Sequence, residues 1–142
     1  MAQPIDYHRS DAAVTLIKDV LEKLKHAFQT ENDVLFLTSS GTGAMEGAVV
    51  NLLSRGDKVI VVRSGKFGER WNDICTAYGI EVIPIDVTWG DSVEPQTVEA
   101  LLTKHPDVKA VFATLCETST GALHDIEALA RLTRVRSIPL GC

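Results

Sequence analysis

The chain has 142 residues, 45% of them hydrophobic and 23% charged, and a net charge of −5. That is about one domain's length and an ordinary globular composition, which excludes disordered and fibrous chains. With no run of Lys or Arg and no apolar run long enough for a signal segment or a membrane span, neither nucleic acid nor membrane is expected as a partner, and a cytoplasmic setting follows.

Taken in chain order, the first pattern is a helical stripe of Ala13, Leu16, Ile17, Val20, Leu21, Leu24 and Phe28, with Ser10 placed to cap it and Asp11 favourable in its first turn. The apolar run Asp33 to Thr38 reads as a strand that ends in the loop Ser39 to Gly43. A helix from Ala44 to Leu53 follows, terminated at Gly56. Lys58 to Arg63 is a strand, Phe67 to Tyr78 a helix closed by Gly79, and Ile80 to Ile85 a strand. Pro95 suits the first turn of a helix running to Lys104, which Pro106 stops; Lys109 to Leu115 is the fourth strand, and His124 to Arg134 the last helix.

Four apolar strands alternating with helices specify an α/β fold, a doubly wound, mostly parallel sheet with helices on both faces. Ligands of such sheets bind at the carboxyl ends of the strands, here the loops Ser39 to Gly43, Arg63 to Phe67, Asp86 to Gly90 and Cys116 to Gly121. In the first of these, the amides of Gly41, Thr42 and Gly43 can point at an anion at the positive end of a helix, or the glycines can simply make a tight turn. A P-loop is excluded, because Glu46, Gly47 and Ala48 stand where Gly-Lys-Ser/Thr is required. The dinucleotide pattern GxGxxG fails by one residue, leaving an NADP-binding Rossmann domain, with Arg63 on the extra phosphate, as a rival. Phe67 either packs in the core or stacks on a flat ligand. Glu117, Thr118, Ser119 and Thr120 form either a polar ligand site or a capped turn. Glu46 and Arg70 are candidates for a supporting or a solvated ion pair. Cys75, Cys116 and Cys142 show no CxxC spacing, so they read as reduced thiols with no metal site.

The motifs Ser40-Gly41-Thr42-Gly43-Ala44-Met45-Glu46, Gly56-Asp57-Lys58, Gly65-Lys66-Phe67-Gly68-Glu69-Arg70-Trp71 and Glu117-Thr118-Ser119-Thr120-Gly121, in this order and after His8-Arg9-Ser10, resemble the class V aminotransferases, particularly the alanine-glyoxylate and serine-pyruvate group. The resemblance implies a pyridoxal 5′-phosphate enzyme of fold type I. It implies a three-layer large domain and a homodimer in the full-length family. The reaction would carry an amino group from alanine or serine to glyoxylate or pyruvate. It further implies that Ser40, Gly41 and Thr42 hold the cofactor phosphate, that Phe67 stacks on the pyridine ring, and that Thr118 lies near the phenolic oxygen.

The family also needs a Schiff-base lysine and an aspartate at the pyridine nitrogen. None of the seven lysines (Lys18, Lys23, Lys25, Lys58, Lys66, Lys104, Lys109) sits in the family's lysine motif, so no catalytic residue is assigned. Residues 1–134 read as a partial cofactor-binding large domain and 135–142 as a tail that departs from the family. A fragment inactive by itself is therefore expected, or a non-catalytic binding or assembly module, with the strand at Lys109 to Leu115 left unpaired on its outer side.

Overall fold

A computed structural model describes residues 7–142, so the first six residues of the 1–134 segment lie outside the described residues. The chain divides into two units, residues 1–38 and 39–142.

In the first, α1 (Asp11–Phe28) begins as expected. Ser10 adopts an extended conformation and its Oγ accepts the Ala13 N–H at 3.2 Å, while Gln29 ends the helix in the left-handed region at φ 50°. No residue of α1 is buried. The expected strand at residues 33–38 does not form: this stretch is irregular and Leu35 is 85% exposed. A strand is stabilised by its ladder, and the described residues contain no partner for this one.

The second unit is a three-layer α/β fold. Its elements are α2 (Gly41–Leu52), β1 (Lys58–Arg63), α3 (Lys66–Ala77), β2 (Glu81–Asp86), α4 (Pro95–Lys104), β3 (Val108–Phe112), β4 (Cys116–Glu117), β5 (Ala122–Leu123), α5 (Ile126–Val135) and β6 (Leu140–Gly141). Four strands make one parallel sheet in the order β2-β1-β3-β6, and β4 pairs with β5 as a small antiparallel ribbon. Strand alternation divides the core in two. Ile60 and Val62 face Val98, Leu102 and Leu129 of α4 and α5, whereas Val59 and Val61 face Val49, Trp71 and Cys75 of α2 and α3.

The fourth strand of the sheet is therefore β6 rather than the 33–38 segment, and β3 is paired on both sides. Pro139 is compatible with this because β6 is an edge that serves β3 through its carbonyls: Val111 N–H donates to Pro139 O at 3.1 Å and Ala113 N–H to Gly141 O at 2.9 Å. Gly141 is required there, since a Cβ would lie 2.6 Å from the Phe112 ring. That ring stacks on Trp71 with centroids 4.5 Å apart.

Gly68 governs how closely α3 approaches β1. A Cβ at this position would stand 2.5 Å from Val62 O and 2.9 Å from Arg63 Cα, and neither backbone atom can yield. Gly68→Ala is expected to cost about 1–3 kcal/mol of unfolding free energy by chemical denaturation. At Gly41 an added Cβ meets nothing within 4 Å, and Gly41→Ala should stay within about 0.5 kcal/mol of the parent.

Candidate functional site

The parallel sheet brings several chain ends to one rim. There the first two turns of α2, the first two turns of α3, Thr114 after β3 and the Gly141–Cys142 end of the chain line a cavity of about 380 Å³. Its walls are mostly apolar, with Ala44, Met45 and Ala48 of α2 opposite Phe67 and Trp71 of α3. One polar atom stands out in this lining: Thr114 Oγ1 is buried and has no hydrogen-bond partner among the described residues. Such an atom costs free energy unless a water or ligand satisfies it.

The two helices that open onto the cavity present opposite N-termini. At α2, Ser40 is the N-cap, with φ −87° and ψ 176°, but its side chain makes no capping hydrogen bond. The first-turn amides of Gly41 and Thr42 have no intrahelical acceptor either. Arg70 Nη1 donates to Thr42 Oγ1 at 2.8 Å, which brings a guanidinium beside that turn. Arg70 thus does not serve Glu46, whose carboxylate accepts from the Tyr78 hydroxyl instead.

At α3 the amides are already taken. Glu117, fully buried, accepts the Phe67 N–H at 3.1 Å and the Gly68 N–H at 3.0 Å. Ser119 Oγ donates to Glu117 at 2.9 Å and accepts the Lys66 N–H at 3.0 Å. Gly65 makes this possible, because any Cβ there would collide with the Glu117 and Ser119 side chains. Burial pushes the Glu117 carboxyl upward, but the amides of Gly68 and Phe67, together with Ser119, outweigh it and hold the group below its ordinary range.

His124, also buried, braces the far side of the loop. Its Nδ1 accepts the Val93 N–H at 3.0 Å, so the neutral ring carries its proton on Nε2, which lies 2.7 Å from Ser64 Oγ. Burial lowers its pKa, against the opposing pull of Glu117.

Of the five residues singled out by resemblance, Gly41 and Phe67 line the cavity, and Ser40 and Thr42 flank Gly41 at the N-terminus of α2. Thr118 is exposed and outside the cavity lining, held between Glu117 and Ser119, both of which are fastened to the first turn of α3. Lys66 points away from chemistry: Nζ pairs with Glu69 at 2.7 Å and lies 5.5 Å above the Trp89 ring. Arg63 is bound by Asp86 through Nε at 2.8 Å and Nη2 at 2.7 Å, which leaves it unsuited to a ribose phosphate. Cys75 is buried and its thiol is raised to about 11 by that burial, while Cys116 and Cys142 are exposed and unpaired in disulfides. Sequence reasoning missed Glu117, His124 and Thr114 as individual contributors. Only the acid among the hydroxyls of the fourth loop gave a signal for the first.

Known proteins resemble this arrangement along nearly the whole chain. The sequence model described as aminotransferase class-V matches residues 4–140. An uncharacterized aminotransferase of Methanocaldococcus jannaschii is 45% identical over 134 residues, which is 94% of this chain and 35% of that protein. The L-aspartate–glyoxylate aminotransferase of Paracoccus denitrificans is 39% identical over 127 residues, 87% of this chain and 32% of that protein. Among solved structures, the subgroup IV aspartate aminotransferase of Thermus thermophilus superposes with a TM-score of 0.86 at 38% identity, covering 94% of this chain and 37% of that one. The alanine–glyoxylate aminotransferase of Nostoc sp. superposes with a TM-score of 0.87 at 29% identity, covering 98% and 37%. The chain spans about a third of the length of the curated relatives it matches.

Two buried titratable groups, Glu117 and His124, make the site sensitive to acid. Glu117 is depressed in the folded state, so its contribution is complete above the unfolded carboxylate value of about 4.3 and is lost as pH falls through the folded one. His124 is depressed too: its contribution is complete above about 6.5 and is lost as pH falls through its folded value. Unfolding free energy should therefore decline on acidification below about pH 6.5. Glu117→Gln should cost about 1–3 kcal/mol at neutral pH and flatten the lower part of that decline, as read by denaturation at a series of pH values.

Proposed function

The chain belongs to the class V aminotransferases, and from that membership we propose that it is the phosphate-holding and ring-stacking part of a pyridoxal 5′-phosphate-dependent aminotransferase. The observation that carries the reading is the contrast at one rim: an α2 N-terminus whose Gly41 and Thr42 amides lack acceptors among the described residues, opposite Phe67, across a cavity with one hydroxyl those residues leave unsatisfied. These features suit a phosphorylated aromatic cofactor. The amides of Gly41 and Thr42, with the Ser40 and Thr42 hydroxyls, would hold the phosphate at the positive end of the helix. Arg70, through its bond to Thr42, adds positive charge beside it. Phe67 would cover one ring face, and Thr118 would donate or accept at the phenolic oxygen. When bound, the cofactor supplies the electron sink for the carbon that loses its amino group.

Alanine or serine as donor and glyoxylate or pyruvate as acceptor remain the substrates proposed from the resemblance. Relatives named for different donors share glyoxylate in their names, which supports the acceptor more than the donor. A homodimer and a cytoplasmic setting for the full-length protein are proposed on the same grounds. Among the described residues no helix is long and apolar enough to cross a membrane.

By themselves the 142 residues are proposed not to turn over substrate. Among the described residues, the side chains that line the cavity include no amine for a covalent link and no carboxylate for the ring nitrogen. The same observation favours, as the second reading, a binding or assembly module that keeps the cofactor fold without its chemistry.

Titration of the intact chain is expected to give weak, reversible binding of pyridoxal 5′-phosphate that inorganic phosphate displaces. Borohydride reduction should leave no single specific lysine adduct by mass spectrometry, and alanine with glyoxylate should not be converted. Phe67→Ala should weaken cofactor binding by about 1 kcal/mol, roughly fivefold. Gly41→Val, which places its side chain where the protein leaves open space, should abolish binding of both cofactor and phosphate without unfolding the chain. Tight binding that phosphate fails to displace would remove the phosphate-centred account.

A further inference from the structure

We propose that Glu117 is a positioning residue of the cofactor site: its carboxylate closes the N-terminus of α3, fixes Phe67 and Thr118 in one rigid unit, and leaves the phosphate to α2. The inference rests on the proposed cofactor function and assigns a role to a residue that would touch neither phosphate nor ring.

Two helix N-termini border the same cavity, and either could in principle attract an anion. They differ in what the protein has already placed on them. The Phe67 and Gly68 amides of α3 end on Glu117, and the Lys66 amide ends on Ser119 Oγ. A fully buried carboxylate thus sits where an external phosphate would otherwise bind, and its charge opposes a second anion there. Among the described residues no carboxylate is bonded to the first turn of α2, and Arg70 stands beside it. The phosphate end of the ligand is thereby assigned one pole.

The same bonds set the geometry of the ring. Phe67 is 38% exposed, so packing alone does not confine it, but its own backbone N–H is bound by Glu117. Thr118 follows Glu117 directly and precedes Ser119, so both of its neighbours are tied to the turn that carries Phe67. The spacing between a ring-stacking face and a hydroxyl at the ring edge is then set by one carboxylate. Gly65 and Gly68 are the residues that let it fit. A Cβ on the first would strike Glu117, and on the second the β1 backbone. His124, held by the Val93 amide and Ser64, supports the loop from behind without bonding to α3.

Two measurements test this. Amide hydrogen exchange on the unaltered chain should show Phe67 and Gly68 protected before any ligand is added, and Gly41 and Thr42 exchanging freely until pyridoxal 5′-phosphate or inorganic phosphate protects them. In parallel, Glu117→Gln should lower affinity for pyridoxal 5′-phosphate about tenfold and weaken the induced circular dichroism of the bound ring, while inorganic phosphate affinity changes less than about twofold. A purely structural role would lower both affinities together.

If Phe67 and Gly68 exchange freely and are protected by phosphate, or if Glu117→Gln binds the cofactor like the parent or loses both ligands equally, the inference falls and the cofactor reading stands. If the unaltered chain binds neither ligand, the cofactor reading falls and takes the inference with it. Should Glu117→Gln not fold, the exchange pattern of the unaltered chain decides the matter alone.

Discussion

Because all four strands of the main sheet run the same way, the loops that leave their carboxyl ends emerge on one rim, where the N-termini of α2 and α3 also meet. Unpaired helix amides are therefore concentrated at one edge of the molecule, and each must find an acceptor. Much of the site's design is the answer to this requirement. Asp125 caps α5 through the Ala128 amide, Glu117 and Ser119 cap α3, and Ser40 leaves the first turn of α2 without a side-chain cap.

On the proposed function, this difference in capping, more than the glycines themselves, separates the phosphate loop of α2 from the loop at α3. Gly41 and Gly65 occupy similar places between an extended segment and a helix. An added Cβ at Gly41 meets open space, and at Gly65 it meets a buried carboxylate and a hydroxyl. On the proposed function, the first glycine would clear an approach for the cofactor phosphate, whereas the second clears an approach for the protein's own side chain. The cost of burying Glu117 is offset by three short-range donors, so a carboxylate without a cation partner remains ionised in the interior.

The helices were legible because their signals are local. Ser10 as a cap, Pro95 at a first turn and Gly79 with φ +73° behind α3 each act within a few residues. The strands at 58–63, 80–85 and 109–115 were legible to within a few residues as short apolar runs. Residues 33–38 carry the same pattern but lack a partner, and Leu140–Gly141, with Pro139 before it, carries almost none yet pairs with β3. Strand formation is decided by neighbours that lie far away in sequence, which periodicity does not report. Glu117 was hidden for the same reason: its acceptor role is defined by amides 49 and 50 residues earlier. The acid among hydroxyls in the fourth loop suggested a ligand site or a local cap, whereas it caps a distant helix. The roles proposed for Ser40, Gly41, Thr42, Phe67 and Thr118 rest on motif resemblance. The structure adds which of them share a cavity wall and which are held beside it.

The proposed function requires this rim to recognise a phosphorylated ligand through the first turn of α2. Calorimetric titration of the intact chain with pyridoxal 5′-phosphate and with unphosphorylated pyridoxal, under one buffer free of other phosphate, tests it most directly. Measurable binding of the phosphorylated compound is expected, and none of pyridoxal at the same concentrations. Equal affinity for the two would contradict it, because recognition would then lie in the ring and its aldehyde, and the open amides of Gly41 and Thr42 would have no part in it.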